Sequence, residues 1–172
     1  LNQMNRRYTK ESYLELVDKI RRQIPEISLT TDIIVGFPGE TEEDFLETMD
    51  VVNRVRFDTA FTFIYSKRTG TPAATFENQI DEETAEQWRN EIMELQQEIV
   101  FDQAEDMIGK EVLVMIEGKV ADENAYVGRT YRDAPNVDGL IFVNTDEELM
   151  TGDFAKVKVT GAAEYDLIGE LI

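Results

Sequence analysis

Residues 31–45, Thr31-Asp32-Ile33-Ile34-Val35-Gly36-Phe37-Pro38-Gly39-Glu40-Thr41-Glu42-Glu43-Asp44-Phe45, carry a strand, a turn and a helix start in immediate succession. Ile33, Ile34 and Val35 end a β-branched run from Ile27 that predicts a buried strand over 27–35. Gly36 to Glu40 supplies the turn. Thr41 with Asp44 three residues later resembles a capping box, Asp44 standing where Glu is usual. The helix so opened puts Phe45, Met49 and Val52 on one face. Glycines at the carboxyl end of a strand let a ligand approach the backbone, and the helix start behind them offers unpaired N–H groups. Phosphate is the default ligand of such a turn. Glu40, Glu42, Glu43 and Asp44 crowd this one, so a neutral or cationic group suits it better. A plain capped strand–helix turn accounts for the same spacing.

Outward from this stretch the pattern repeats. Residues 10–24 form an amphipathic helix through Tyr13, Val17, Ile20 and Ile24, stopped by Pro25. Residues 57–65 are a second strand, whose Phe and Tyr side chains are expected in the core. A loop over 66–79 leads to Asp81, which can cap a long helix with Ala85, Trp88, Ile92, Leu95 and Ile99 on one face. Gly109 is its plausible C-cap. Helix, strand, helix, strand, helix implies parallel strands covered by helices. Beyond residue 107 the character changes. Short strand-like runs at 112–116, 126–131, 140–143, 154–159 and 164–171 recur at about a dozen residues, as in a small β-sandwich or barrel. Ala155, Val157 and Val159 alternate with Lys156 and Lys158, giving that strand one wet face. The expected class is therefore α/β plus all-β, with two domains, 1–106 and 107–172.

Composition narrows the functions. Cysteine and histidine are both absent, which excludes disulfides and thiolate- or imidazole-held metals within these 172 residues. No apolar run is long enough to span a membrane, no export leader is visible, and a cytoplasmic location is expected. The net charge is −19, with 23 acidic against 11 basic side chains in 1–106 and 13 against 6 in 107–172. Such a surface repels a nucleic-acid backbone and favours a basic partner, although acidity also serves solubility. A nucleic-acid-binding β-module and a non-catalytic interaction protein are the competing classes.

The 31–45 stretch closely resembles the radical S-adenosylmethionine methylthiotransferases. Met4-Asn5-Arg6-Arg7-Tyr8-Thr9, Phe63-Ile64-Tyr65-Ser66 and Gly70-Thr71-Pro72-Ala73 extend the likeness to nearly the whole chain. The resemblance implies that 1–106 is the C-terminal portion of a radical SAM (βα) half-barrel and 107–172 a TRAM domain, a small OB-like β-barrel that contacts substrate. It implies adenosylmethionine and [4Fe-4S] clusters in the longer enzyme, the cluster cysteines lying upstream, with no cluster held by these residues and no activity from them alone. Gly36, Pro38, Gly39, Glu40 and Thr41 would border the adenosylmethionine pocket, their acidic company suiting a sulfonium cation.

One branch of that family modifies an adenosine in tRNA and another an aspartate of a small-subunit ribosomal protein. Residues 4–9 and 59–66 look more like the tRNA branch. Residues 128–139 and 164–170 look like the ribosomal-protein branch, and the substrate-reading domain is the one expected to decide. A basic ribosomal protein is thus the expected partner, with tRNA the alternative. Arg129, Asp133, Asp138 and Asp166 are the implied substrate contacts. Arg129, Arg132, Lys156 and Lys158 could instead grip phosphate beside Tyr126 and Tyr131; as scattered bases among acids they read better as solvated strand faces.

Overall fold

A computed structural model of the chain describes residues 1–135, 137 and 139–172. Asp138, one of the expected substrate contacts, lies outside the described residues. The chain divides into two compact units, Leu1–Ile99 and Val100–Ile172.

In the first unit, helix α1 spans Lys10–Gln23, strand β1 Thr30–Val35, helix α2 Glu42–Val55 and strand β2 Thr59–Ile64. Helix α3, Glu82–Asp106, begins here. A capping box opens α1, where Thr9 Oγ1 accepts from Ser12 N, and a second opens α2 at Thr41. Asp81 Oδ1 accepts from Thr84 N at 2.9 Å, capping α3. β1 and β2 pair in parallel, from Thr30 opposite Thr59 to Val35 opposite Ile64. Their shared helix-facing side joins a core of Val17, Val35, Phe45, Val52, Val55, Phe57, Trp88, Ile92 and Ile99. The Phe45 and Trp88 rings stack at 5.2 Å.

Two expectations need correction. β1 is shorter than 27–35, and within it only Val35 is buried. Phe61 and Phe63 of β2 are 40% and 53% exposed, so they are not core side chains in this chain. The cause is geometric: strand side chains alternate, and the helices cover one face of this two-stranded sheet. In α1 the buried positions are Leu14 and Val17, whereas Ile24 is the C-cap and stays exposed.

The second unit is a closed five-stranded barrel in the order β3-β4-β5-β7-β6. The strands are β3 Glu111–Lys119, β4 Ala125–Arg129, β5 Ile141–Asn144, β6 Phe154–Ala163 and β7 Asp166–Leu171. Neighbours pair antiparallel except β5 with β7, which run parallel. Register shifts at Ile116/Gly118 and Val159/Gly161 bend the two long strands, as closure of so small a sheet requires. Inward residues Val112, Val114, Ile116, Ile141, Val143, Val157 and Val159 fill the barrel. The alternation expected along β6 is present, with Lys156 and Lys158 outside and Ala155, Val157 and Val159 inside. α/β units with a parallel strand pair plus an OB-like barrel are thus the architecture.

Candidate functional site

The turn between β1 and α2 is built by mutual hydrogen bonding of its own residues. Gly36 and Gly39 adopt φ of +75° and +86°, the left-handed region that side chains disfavour. Glu40 folds back, and its Oε2 accepts from Gly36 N at 2.6 Å and Phe37 N at 3.1 Å. Glu40 N in turn donates to Phe37 O at 2.9 Å. Burial pushes the Glu40 carboxyl above its usual range, against the pull of those two N–H donors. Thr41 N donates to Asp44 Oδ2 at 2.9 Å, and Asp44 N to Thr41 Oγ1 at 3.2 Å, so the capping box closes as the spacing predicts.

The five turn residues therefore come together, with distinct roles. Gly36 and Pro38 are buried, Gly39 and Glu40 half-buried, and Thr41 exposed. A Cβ on Gly36 would lie 2.9 Å from the Ala85 Cβ, so this glycine admits α3 rather than a ligand. Gly39 N donates to Asn78 O at 2.8 Å, and a Cβ there would strike the Asn78 side chain. Asn78 was not legible as a site residue, because its partner lies 39 positions away and no motif marks it. The Phe37 ring sits edge-on to Tyr65 at 5.2 Å and Phe76 at 6.3 Å. Tyr65 Oη is buried and has no hydrogen-bond partner among the described residues, a state that costs free energy unless a further group fills it.

Next to the turn, the open face of the sheet is lined by Asp32 and Ile34 of β1 opposite Phe61 and Phe63 of β2. Ile34 is 39% exposed. Two phenyl rings, an aliphatic side chain and one carboxylate form a surface for a flat, apolar, cationic group. The signal was present in the sequence as apolar residues at both parities of each strand, which means two faces that want cover.

On the barrel, the expected substrate contacts are engaged within the fold. Arg129 Nε donates to Glu117 Oε1 at 2.7 Å. Asp133 Oδ2 accepts from Thr130 N and Thr130 Oγ1, both at 2.8 Å, closing the turn after β4. Asp166 Oδ1 accepts from Leu140 N at 2.8 Å. Tyr126, weighed as a base-stacking ring, belongs to the barrel core and its Oη accepts from Leu149 N at 3.1 Å. Tyr131 is 59% exposed. A groove of about 760 Å³ opens at the opposite end of the barrel, between the 144–149 segment and the facing ends of β6 and β7.

Comparison with known proteins places both units. Residues 1–52 match the radical SAM superfamily and residues 108–172 the TRAM domain. Over 98% of its length the chain is 48% identical to the ribosomal protein uS12 methylthiotransferase RimO of Lachnoclostridium phytofermentans. Over 100% of its length it is 48% identical to the tRNA-2-methylthio-N(6)-dimethylallyladenosine synthase of Thermoanaerobacter sp. (strain X514). RimO of Desulfitobacterium hafniense is 43% identical over 100% of the chain. The chain spans 38%, 36% and 38% of the length of these three relatives. The two branches match equally well, and the common ground between them is the family. With a radical SAM segment and a TRAM barrel in one chain, and both kinds of methylthiotransferase similar along its full length, these residues belong to the radical SAM methylthiotransferase family.

Proposed function

We propose that this chain is the C-terminal part of an enzyme that adds a methylthio group to an aspartate of a basic small-subunit ribosomal protein. In this reading 1–106 completes the radical SAM half-barrel and 107–172 presents the substrate. The observation that carries the choice of substrate is the charge of residues 107–172, 13 acidic against 6 basic side chains. A tRNA backbone is held by Lys and Arg that displace its counterions, and this domain has the opposite balance.

Adenosylmethionine fits the first unit. The orphaned Tyr65 hydroxyl offers a hydrogen bond beside the turn, the Phe61 and Phe63 rings a surface for an adenine, and Asp32 a counter-charge for a sulfonium. Gly36, Pro38, Gly39, Glu40 and Thr41 would border that pocket, Gly36 by admitting α3 behind the turn and Gly39 and Glu40 by holding the turn's shape. When bound, the cofactor supplies methyl-transfer and radical chemistry. The iron–sulfur clusters do not fit these residues: cysteine is absent, and no described group of His, Asp or Glu has a metal-binding arrangement. The clusters would be held by other parts of the longer enzyme, and these 172 residues alone would be inactive. Arg129, Asp133, Asp138 and Asp166 would act on the substrate side, Asp133 and Asp166 by holding Thr130 and Leu140 and Arg129 through its pairing with Glu117.

Incubating the longer enzyme, with its clusters reconstituted, with purified ribosomal protein uS12 or with bulk tRNA tests the proposal. A methylthio group found by mass spectrometry on an aspartate of uS12 supports it, and one found on tRNA adenosine alone overturns it. For the cofactor pocket, Gly39→Val in the same enzyme is expected to weaken adenosylmethionine binding in calorimetry by more than its lowered melting temperature explains. Unchanged affinity with a lowered melting temperature would make the turn structural only.

A further inference from the structure

The groove at the far end of the barrel combines two surface chemistries. Its lining carries three carboxylates, Asp146, Glu147 and Glu170, against one ammonium, Lys156. Leu149, Leu171 and Phe154 add apolar side chains to the same lining, and Phe154 is 67% exposed. Ile172, also in the lining, is 56% exposed, and Met150, next in the chain to Leu149, is 73% exposed. Isolated apolar side chains on a surface mean little, but several around one concavity mark an interaction site.

Hydrogen bonds within the chain hold the 144–149 wall of the groove. Thr145 N donates to Asn124 O at 3.1 Å, Asn124 Nδ2 donates to Asp146 Oδ1 at 2.9 Å, and Glu147 N donates to Thr145 Oγ1 at 3.0 Å. Leu149 N is tied to the buried Tyr126 hydroxyl. A wall held in this way has less freedom to lose on binding, which favours affinity. The groove's volume of about 760 Å³ suits a few residues of extended chain. An excess of carboxylates among exposed apolar side chains selects lysine or arginine side chains alternating with aliphatic ones. Phosphodiester backbones meet the wrong sign here.

We infer that this groove is a docking site for a basic polypeptide segment with interspersed aliphatic side chains, and that it is where the ribosomal-protein substrate is held. The second clause rests on the function proposed above; the groove's preference for a basic, aliphatic peptide does not. Arg129, Leu140 and Asp166 lie at the other end of the barrel, so the two ends are separable by mutation.

The test uses the 172-residue chain and fluorescence anisotropy with two probes, a labelled Lys-Leu-Lys-Leu-Lys-Leu peptide and labelled uS12, with unlabelled tRNA as competitor. Glu147→Gln/Glu170→Gln is expected to weaken both probes by about tenfold at ~0.05 M salt and by less at ~0.3 M. Phe154→Ala is expected to weaken them by about fivefold at both salts, since an aromatic anchor is not screened. Glu164→Gln, at the other end of the barrel, should leave both unchanged. Groove variants that bind uS12 and the peptide as the parent does would overturn the inference while leaving the ribosomal-protein reading standing. If the groove variants lose the peptide but uS12 never binds, the groove stands and the substrate reading falls. Displacement of the peptide by tRNA would overturn the choice of partner.

Discussion

Glu40 holds its turn by accepting two backbone N–H groups on one oxygen, and removing that oxygen is the sharpest probe of the first unit. Glu40→Ala leaves Gly36 N and Phe37 N, bonded at 2.6 and 3.1 Å, without an acceptor. Hydrogen bonds to a charged group contribute about 1.5–3 kcal/mol each, and relief of the carboxylate's burial returns part of that, so a net loss of about 2 kcal/mol is expected. For a unit of Leu1–Ile99 this is about 10 °C in Tm. The only tryptophan, Trp88, lies buried against Phe45 in the same core, so its fluorescence follows this unit alone. Glu40→Gln keeps an acceptor oxygen and should melt within about 3 °C of the parent at neutral pH. Its value lies in the pH profile. The Glu40 carboxyl is raised chiefly by burial, so its contribution to stability is complete below the unfolded value of about 4.3 and is lost as pH climbs through the folded value. The parent's Tm relative to Glu40→Gln should therefore fall as pH rises above the unfolded carboxyl's value. Two results refute this reasoning: a Glu40→Ala variant melting within about 2 °C of the parent, or a parent that gains on Glu40→Gln as pH rises.

Gly36→Ala should cost about 3 kcal/mol, from its φ of +75° and from the 2.9 Å approach of the new Cβ to Ala85; a Trp88 melt shifted by less than about 5 °C would contradict it. Asp166→Ala removes the acceptor of Leu140 N, so amide exchange at Leu140 should quicken by at least about tenfold, as loss of about 1.4 kcal/mol implies; unchanged protection would show that Leu140 N is held by other means.

Much of the first unit was legible because its signals are local. Thr41 and Asp44 sit three apart and close a capping box; Asp81 caps α3; Ala85, Trp88, Ile92 and Ile99 share one face and are all buried. What escaped was the state of the strands. Composition says that Ile34, Phe61 and Phe63 are apolar, but whether an apolar strand face is covered depends on what else packs there, and in this chain one side of the sheet has no described cover. The barrel's strands were legible by their alternation, whereas the parallel pairing of β5 with β7 was not. Alternation fixes which face a residue takes and says nothing of which strand lies beside it.

The barrel's acids show the same division between local and distant information. Asp133 follows Thr130 by three residues, a spacing that by itself suggests a turn closed by a side chain, and the carboxylate does close that turn. Asp166 bonds a backbone N–H 26 positions back, which no short pattern reveals. Both were attractive as substrate contacts because they are charged and sit in stretches that resemble one branch of the family. Charge alone does not make a residue available, since a carboxylate already accepting an N–H gives less to a partner than an open one. Applied across the domain, that criterion shifts attention from Asp133 and Asp166 toward Glu147 and Glu170 at the groove. The total charge of the domain was readable in advance, whereas its division into carboxylates that hold loops and carboxylates that face a groove required the fold.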